Sequence, residues 1–458
     1  MVQPGLPGRL RMYSLVIGYV SSLKIPRFAI NTLIPFIVAD LGLPAAFTPR
    51  LLAPFHYGYI LSQIPGGVLA KRWGSVRLGS CQLALCAVIL ALVPGAGSLR
   101  GSQRLKVLAM TALMTGLGIF QGPMSPVTSQ LNRAWMPAGV ERAIAFRATG
   151  LAHSAAPLFG ALITTRLGAR AGWRSVCMAY AAGTATFTLL WTALARDRPE
   201  VAAEPAARKA ATRGVGARAG IRTQPRESET RVGYWDILLV KPSLALGVFH
   251  MSFNFMDATR FQLSPTIYME RFHCSPVQMG TYLAIGHACH IPANFVWGAL
   301  ESWAIRRGTS MLTIRRLATG VGSVFESVLA LGFAFAPNPV VATILYGTMD
   351  AMTGLHGSGA WANYMEVGGE DTSQLNAFYN TIACSVGGPL VPFLGFWLRG
   401  RTGSWVPQIA LAASLKLLSG AVYFCWASVK PARQLIYEQR QLAREGEARS
   451  HQRPAQVL

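Results

Sequence analysis

The 458-residue sequence predicts an all-α membrane protein with twelve transmembrane helices in two six-helix halves. Three observations carry this reading. Only 13% of the residues are charged and 52% are hydrophobic, with a mean hydropathy of +0.34. A soluble domain carries about 25% charged residues, so this chain lacks the charges to solvate a globular surface. Apolar stretches able to cross about 30 Å of hydrocarbon recur along the chain. A single polar segment separates them into two sets of six. Collagenous and disulfide-scaffold classes fail as well, since the 46 Gly follow no fixed period and there are only seven Cys.

Taken in order, the first half places helices near 12–38, 48–70, 78–97, 105–131, 142–166 and 174–195. The second half places them near 242–269, 277–303, 312–336, 338–364, 372–398 and 405–428. The second and eleventh stretches are the weakest, being rich in Gly, Pro and Ser. The first follows a short basic segment, 1–11, and lacks a small-residue cleavage site, so it reads as a retained signal anchor. Between the halves, 196–241 is dense in Ala, Arg, Gly, Thr and Glu, a composition that cannot bury enough apolar surface to fold alone. Beyond the last span, 429–458 is a basic tail in which Arg433 to Arg449 suits an amphipathic surface helix, either solvated or in contact with anionic lipid.

The net charge of +23, from 42 Lys+Arg against 19 Asp+Glu, raises the question of nucleic acid. No basic run is interleaved with aromatic residues as a stacking platform requires, so no nucleic acid partner is expected. The excess instead falls in loops on the side of the termini and linker. Basic loops face the cytoplasm, which places both termini there. The cysteines show no CxxC spacing and fall mainly in apolar segments, as buried small hydrophobes do. No P-loop, GxSxG elbow, HExxH or strand-linked GxGxxG is present, so neither an enzyme nor a nucleotide, metal or covalent cofactor is implied.

Two motifs narrow the class. Gly67-Val68-Leu69-Ala70-Lys71-Arg72-Trp73-Gly74 fits the G-x-L-A-D-R-x-G loop motif of the major facilitator superfamily, with Lys71 at the acidic position. In that motif Gly67 would allow close helix approach, Gly74 a tight turn, and Arg72 a contact with helix C-terminal carbonyls that holds a gate shut. Gly298 to Glu301, followed by Arg306-Arg307-Gly308, is a looser second copy. Gly58-Tyr59-Ile60-Leu61-Ser62-Gln63-Ile64-Pro65-Gly66-Gly67 resembles the signature of the sialin and vesicular glutamate transporter family, which also includes sodium-phosphate cotransporters and plant plastid carriers. His250 to Phe255, Ser310 to Arg316 and Asn363 to Glu366 resemble further segments of that family, so the likeness extends over nearly the whole chain outside linker and tails.

The resemblance implies transport of a small organic anion or phosphate by alternating access, driven by a proton, a sodium ion or the anion's own gradient. It places Arg27 and Asn31 of the first span, and Asn254 of the seventh, at a central cavity. A guanidinium fork suits a carboxylate or phosphate there, although a helix-end arginine can also snorkel to the interface. Asp257 and Arg260 lie three apart, so they can pair or serve a substrate. His56, His250, His287 and His290 fall in spans and can carry protons near neutral pH, or simply hydrogen-bond in helix packing. Tyr57 and Tyr59 read as packing and gate residues. Arg147 and His153 lie on different faces of the fifth span.

In the fourth span the family's arginine and glutamate are matched by Met114 and Gln121, which cannot release a proton. Coupling, if present, falls to Asp257, His250 or His56, with Glu326 and Asp350 as further candidates. Two other readings stand beside anion transport: a facilitator of a neutral or cationic solute, and a non-transporting membrane sensor or adaptor.

Overall fold

The computed structural model describes residues 6–44, 47–136, 140–198 and 232–451. Most of the linker lies outside these residues, as do the side chains of Arg147 and His153. The described residues form helices and no strands. All twelve predicted apolar stretches are helical, and seven helices are long and apolar enough to cross a membrane.

In the N-terminal half, α1 (Leu6–Asp40) is followed by a short α2 (Thr48–Leu52) and by α3 (Pro54–Trp73), α4 (Ser75–Gly97) and α5 (Gln103–Gln121). Gly122 and Pro123 separate α5 from α6 (Met124–Trp135), since proline cannot donate to the preceding turn. The long α7 (Val140–Leu194) is two rods joined at Gly172, whose φ of 75° is a left-handed conformation that favours glycine. Helices α3 and α5 cross at almost backbone contact: a Cβ on Gly58 would lie 1.9 Å from the Thr115 carbonyl oxygen, and one on Gly118 1.9 Å from that of Phe55. Small residues at a crossing let membrane helices gain dispersion contacts that lipid cannot displace. Behind it, fully buried Trp191 stacks on Tyr19 with centroids 4.8 Å apart and donates from Nε1 to the Val76 carbonyl at 3.1 Å.

The C-terminal half begins with α8 (Tyr234–Leu239) and α9 (Lys241–Ala258), which passes through a π turn at Thr259–Leu263 into α10 (Ser264–Arg271). Then come α11 (Pro276–Ala288), α12 (His290–Arg306), α13 (Met311–Phe335) and α14 (Pro339–Thr353). A second π turn, Gly357–Trp361, leads into α15 (Ala362–Gly368). A third, Val386–Leu390, lies between α16 (Thr372–Ser385) and α17 (Val391–Thr402), ahead of α18 (Val406–Trp426). The predicted surface helix of the tail is α19 (Ala432–His451).

Polar contacts define the two ends of the bundle. At the end holding the termini, Trp135 Nε1 donates to the Arg196 carbonyl at 2.8 Å, Arg433 to Asp371 at 2.5 and 2.9 Å, and Arg440 to Asp236 at 2.7 Å. The Asp371 hydrogen bonds raise the Arg433 guanidinium further above its ordinary pKa, and the bond from Lys430 holds Glu438 below the usual carboxylate range. At the far end, Arg174 pairs with Asp40 at 2.7 Å and Arg271 donates to the carbonyls of Ala334 and Ala336 at 2.6 and 2.8 Å.

The halves are joined mainly toward that far end. Phe36, Leu158 and Leu162 pack into the core of the C-terminal half. A Cβ on Gly280 would lie 2.0 Å from Thr165 Oγ1, so α11 and α7 are in tight contact.

The cysteine reading needs correction. Cys86, Cys177 and Cys274 are buried, but Cys81, Cys289 and Cys425 are exposed on the outside of the bundle. Lipid solvates an outward thiol, so an apolar segment does not imply an interior one.

Candidate functional site

A cavity of about 200 Å³ lies between the halves, under the far-end closure. From the first half come Lys24, Arg27 and Asn31 of α1, and His56 and Tyr59 of α3. From the second come Asn254 and Asp257 of α9, Gln262 of its π turn, and Asn380 and Cys384 of α16. The lining is thus amide, imidazole and charge, a composition that recognises a polar solute.

Arg27 is central to it. Its guanidinium lies 4.3 Å from the ring centroid of Phe55 and 5.3 Å from that of Tyr59, and no ion pair joins it to a carboxylate among the described residues. Aromatic faces hold the cation in place without using up its hydrogen-bond donors. Phe28 meets Phe261 across the halves with centroids 5.0 Å apart. His56 Nε2 is 3.2 Å from Gln262 Nε2, and its ring lies so close to Gly388 that a Cβ there would be 2.3 Å away. Asn380 donates to Gln63 Oε1 at 2.7 Å, another bond between halves, and Asn254 approaches Cys384 Sγ at 3.6 Å.

Of the predicted site residues, Arg27, Asn31, His56, Asn254 and Asp257 therefore meet at one cavity. Arg260 does not line it. The spacing-based pair with Asp257 forms, and Arg260 Nη1 also donates to Asp350 Oδ1 at 2.6 Å. Asp350 is in turn hydrogen-bonded to His287 Nδ1 at 2.9 Å, while His290 Nδ1 meets its backbone carbonyl at 2.7 Å. His250 is buried elsewhere, against Tyr364 Oη at 3.0 Å and edge-on to Trp361. Gln121 donates to the Leu23 carbonyl at 3.0 Å, a packing contact behind α1.

A second buried cluster was only partly visible in the sequence. Glu326 lies between His356 Nε2 and Lys416 Nζ, each 3.1 Å away, and the three side chains are 1%, 0% and 0% exposed. The Lys416 ammonium also lies 4.3 and 4.5 Å from the ring centroids of Phe249 and Phe253.

The loop motif differs in detail from its expectation. Close approach falls at Gly66, where a Cβ would meet Pro123 at 2.5 Å, whereas at Gly67 it would lie 4.0 Å from Pro126. One residue along a helix rotates the side chain by about 100°, enough to change which position faces the neighbour. Gly74 does make the turn, with φ at 89°. Arg72 is exposed, with no hydrogen bond or ion pair among the described residues, and Asp197 instead accepts from the Val76 N–H at 2.9 Å. In the looser copy, Arg315 Nη1 donates to Glu301 at 2.7 Å and to the Ser358 carbonyl at 2.6 Å, and Nη2 to Glu366 at 2.8 Å.

A helical bundle of this size, with long apolar rods around a polar cavity between two halves, defines an integral multi-pass membrane protein. A sequence model described as Major Facilitator Superfamily matches residues 20–428. The chain belongs to that superfamily. Among its relatives, the chloroplastic "Ascorbate transporter" of Arabidopsis thaliana is 22% identical, over 82% of this chain and 66% of the relative. The chloroplastic "Probable anion transporter 4" of Oryza sativa subsp. japonica is 23% identical, over 84% and 63%. The matched region thus spans just under two thirds of each plastid relative. The "Probable sulfoacetate transporter SauU" of Cupriavidus necator is 23% identical, over 85% of this chain and 87% of its own. In fold, the chain is similar to a bacterial homolog of the human lysosomal transporter Spinster in an inward-facing, occupied conformation, with a TM-score of 0.68 and 14% identity over 92% of this chain and 97% of that one. A D-xylose-proton symporter shares the fold at a TM-score of 0.64 and 14% identity, over 92% and 98%.

Proposed function

We propose that the protein carries a small organic anion or inorganic phosphate across a membrane by alternating access. The observation that carries this reading is Arg27, a guanidinium without a carboxylate partner among the described residues, inside a polar cavity between two helical halves. An unpaired cation at membrane depth is costly and marks a functional site by default. Asn31 and Asn254 add neutral donors that orient the anion. Names of the relatives, which include anion, ascorbate and sulfoacetate transporters, point the same way.

Residues 12–195 and 242–428 form the two rocking halves, and 196–241 the linker between them. Basic loops place the termini and linker in the cytoplasm. Joined at the far end, the halves then face inward. Gly67, Arg72 and Gly74 form a cytoplasmic gate engaged in the outward-facing state, and Arg315 with Glu301 and Glu366 its counterpart. Asp257 and His56, at the cavity, are placed to couple a proton; Arg260 and His250 act on the site through their neighbours. The working unit is a monomer in the bilayer, with no cofactor.

Uptake into proteoliposomes tests this. Labelled phosphate and a panel of mono- and dicarboxylates are offered with pH and sodium gradients imposed separately. Saturable anion uptake is expected, raised above equilibrium by one gradient if the carrier is a symporter and merely equilibrating if it is not. Absence of anion uptake by folded protein would contradict the reading and favour a neutral solute or a sensor.

A further inference from the structure

We infer that Lys24 is a second anion ligand beside Arg27, and that the substrate is therefore a small dianion, such as a short dicarboxylate or a carboxylate bearing a second acidic group. The inference rests on the anion-carrier reading and sharpens it. Lys24 and Arg27 stand three residues apart on α1, the spacing at which helical side chains are neighbours, about 5–6 Å between Cβ atoms. Both line the same cavity. Neither has a hydrogen bond or an ion pair among the described residues, and both are partly exposed to the cavity.

The carboxylate at that cavity, Asp257, forms an ion pair with neither of them. It is bonded to Arg260, which reaches on to Asp350, where His287 completes the set. Each of these carboxylates thus has a partner in its own half, while Lys24 and Arg27 border the cavity with no ion-pair partner among the described residues. Besides Asp257, the polar lining around them includes the amides of Asn31, Asn254, Gln262 and Asn380 and the imidazole of His56.

Two adjacent cations at membrane depth repel each other and cost insertion energy, and a monoanion leaves one of the two charges unmatched. A ligand with two negative charges offsets both. The two cations differ in kind. Arg27 offers a planar fork held on aromatic rings, and Lys24 a compact ammonium on a flexible stem, which suits one bidentate group and one less constrained group. The cavity volume of about 200 Å³ lies below the roughly 300–1,000 Å³ of drug-sized sites, so the dianion is small.

Binding calorimetry on the purified full-length protein at neutral pH tests this with two probe pairs matched in shape: succinate against its monoamide succinamate, and sulfoacetate against methylsulfonylacetate. Wild type is expected to bind at least one dianion about tenfold or more tighter than its monoanionic partner, the size of a charge-assisted hydrogen bond. Lys24→Met should weaken that dianion about tenfold or more and move the monoanion by less than about twofold. Lys24→Arg should keep the preference, which separates loss of charge from loss of fold. Equal binding of mono- and dianion by wild type, or parallel loss of both in Lys24→Met, would overturn the inference while leaving an anion carrier in place. Binding of none of the four probes by protein that melts cooperatively would overturn both.

Discussion

Arg27→Gln is expected to weaken anion binding by about thirtyfold or more while the bundle stays folded. Removing one member of a desolvated charge pair costs about 2–5 kcal/mol of binding, and each 1.4 kcal/mol is tenfold. The fold should survive because Arg27 pairs with no carboxylate among the described residues, so its loss strands no counter-charge. What the apo protein loses is the cation–π contact with Phe55 and Tyr59, about 0.5–2 kcal/mol. Arg27→Lys should fall between the two, keeping the charge but not the fork. Calorimetric titration with the best-transported anion measures the effect, and thermal unfolding in detergent checks the fold. An unchanged affinity with a lowered melting temperature would instead mark Arg27 as structural.

The second large effect concerns stability. Glu326→Gln is expected to destabilise the C-terminal half by about 3–5 kcal/mol, the cost of leaving a buried charge uncompensated. Lys416 is fully buried, and the carboxylate beside it is Glu326. Phe249 and Phe253 attract the ammonium but cannot neutralise it. Glu326→Gln with Lys416→Met removes both charges, and an apolar replacement of a buried pair is often neutral or stabilising. The double variant should therefore recover most of the loss. Melting temperatures of the wild type, both single variants and the double variant give the coupling directly. Additive losses would show that Glu326 and Lys416 do not act as a unit.

Much of this architecture is legible in the sequence because membrane burial writes itself as length and hydropathy. Twelve apolar stretches are read without knowing what any of them touches, and all are helical. The Asp257–Arg260 pair is legible for the same reason: three residues on a helix fix a distance. Partners far apart in the chain are not legible. Asp350 meets Arg260 across ninety positions and Lys416 meets Glu326 across another ninety, so nothing local indicated that these candidates for coupling are matched by cations of their own half. The spacing of Lys24 and Arg27 was visible, but that both face one cavity depends on the rotation of α1. Rotation also explains the shift of close contact from Gly67 to Gly66.

The central claim is that the anion occupies the cavity beside Arg27, and Cys384 permits its most direct test. Its sulfur lines that cavity, within 3.6 Å of Asn254 and Asn380. In a variant retaining Cys384 as the single cysteine, the rate of alkylation by a small thiol reagent is measured with and without saturating anion. The account predicts that the anion slows labelling severalfold, and that this protection disappears in Arg27→Gln. Labelling at an unchanged rate, in protein that still transports the anion, would contradict it.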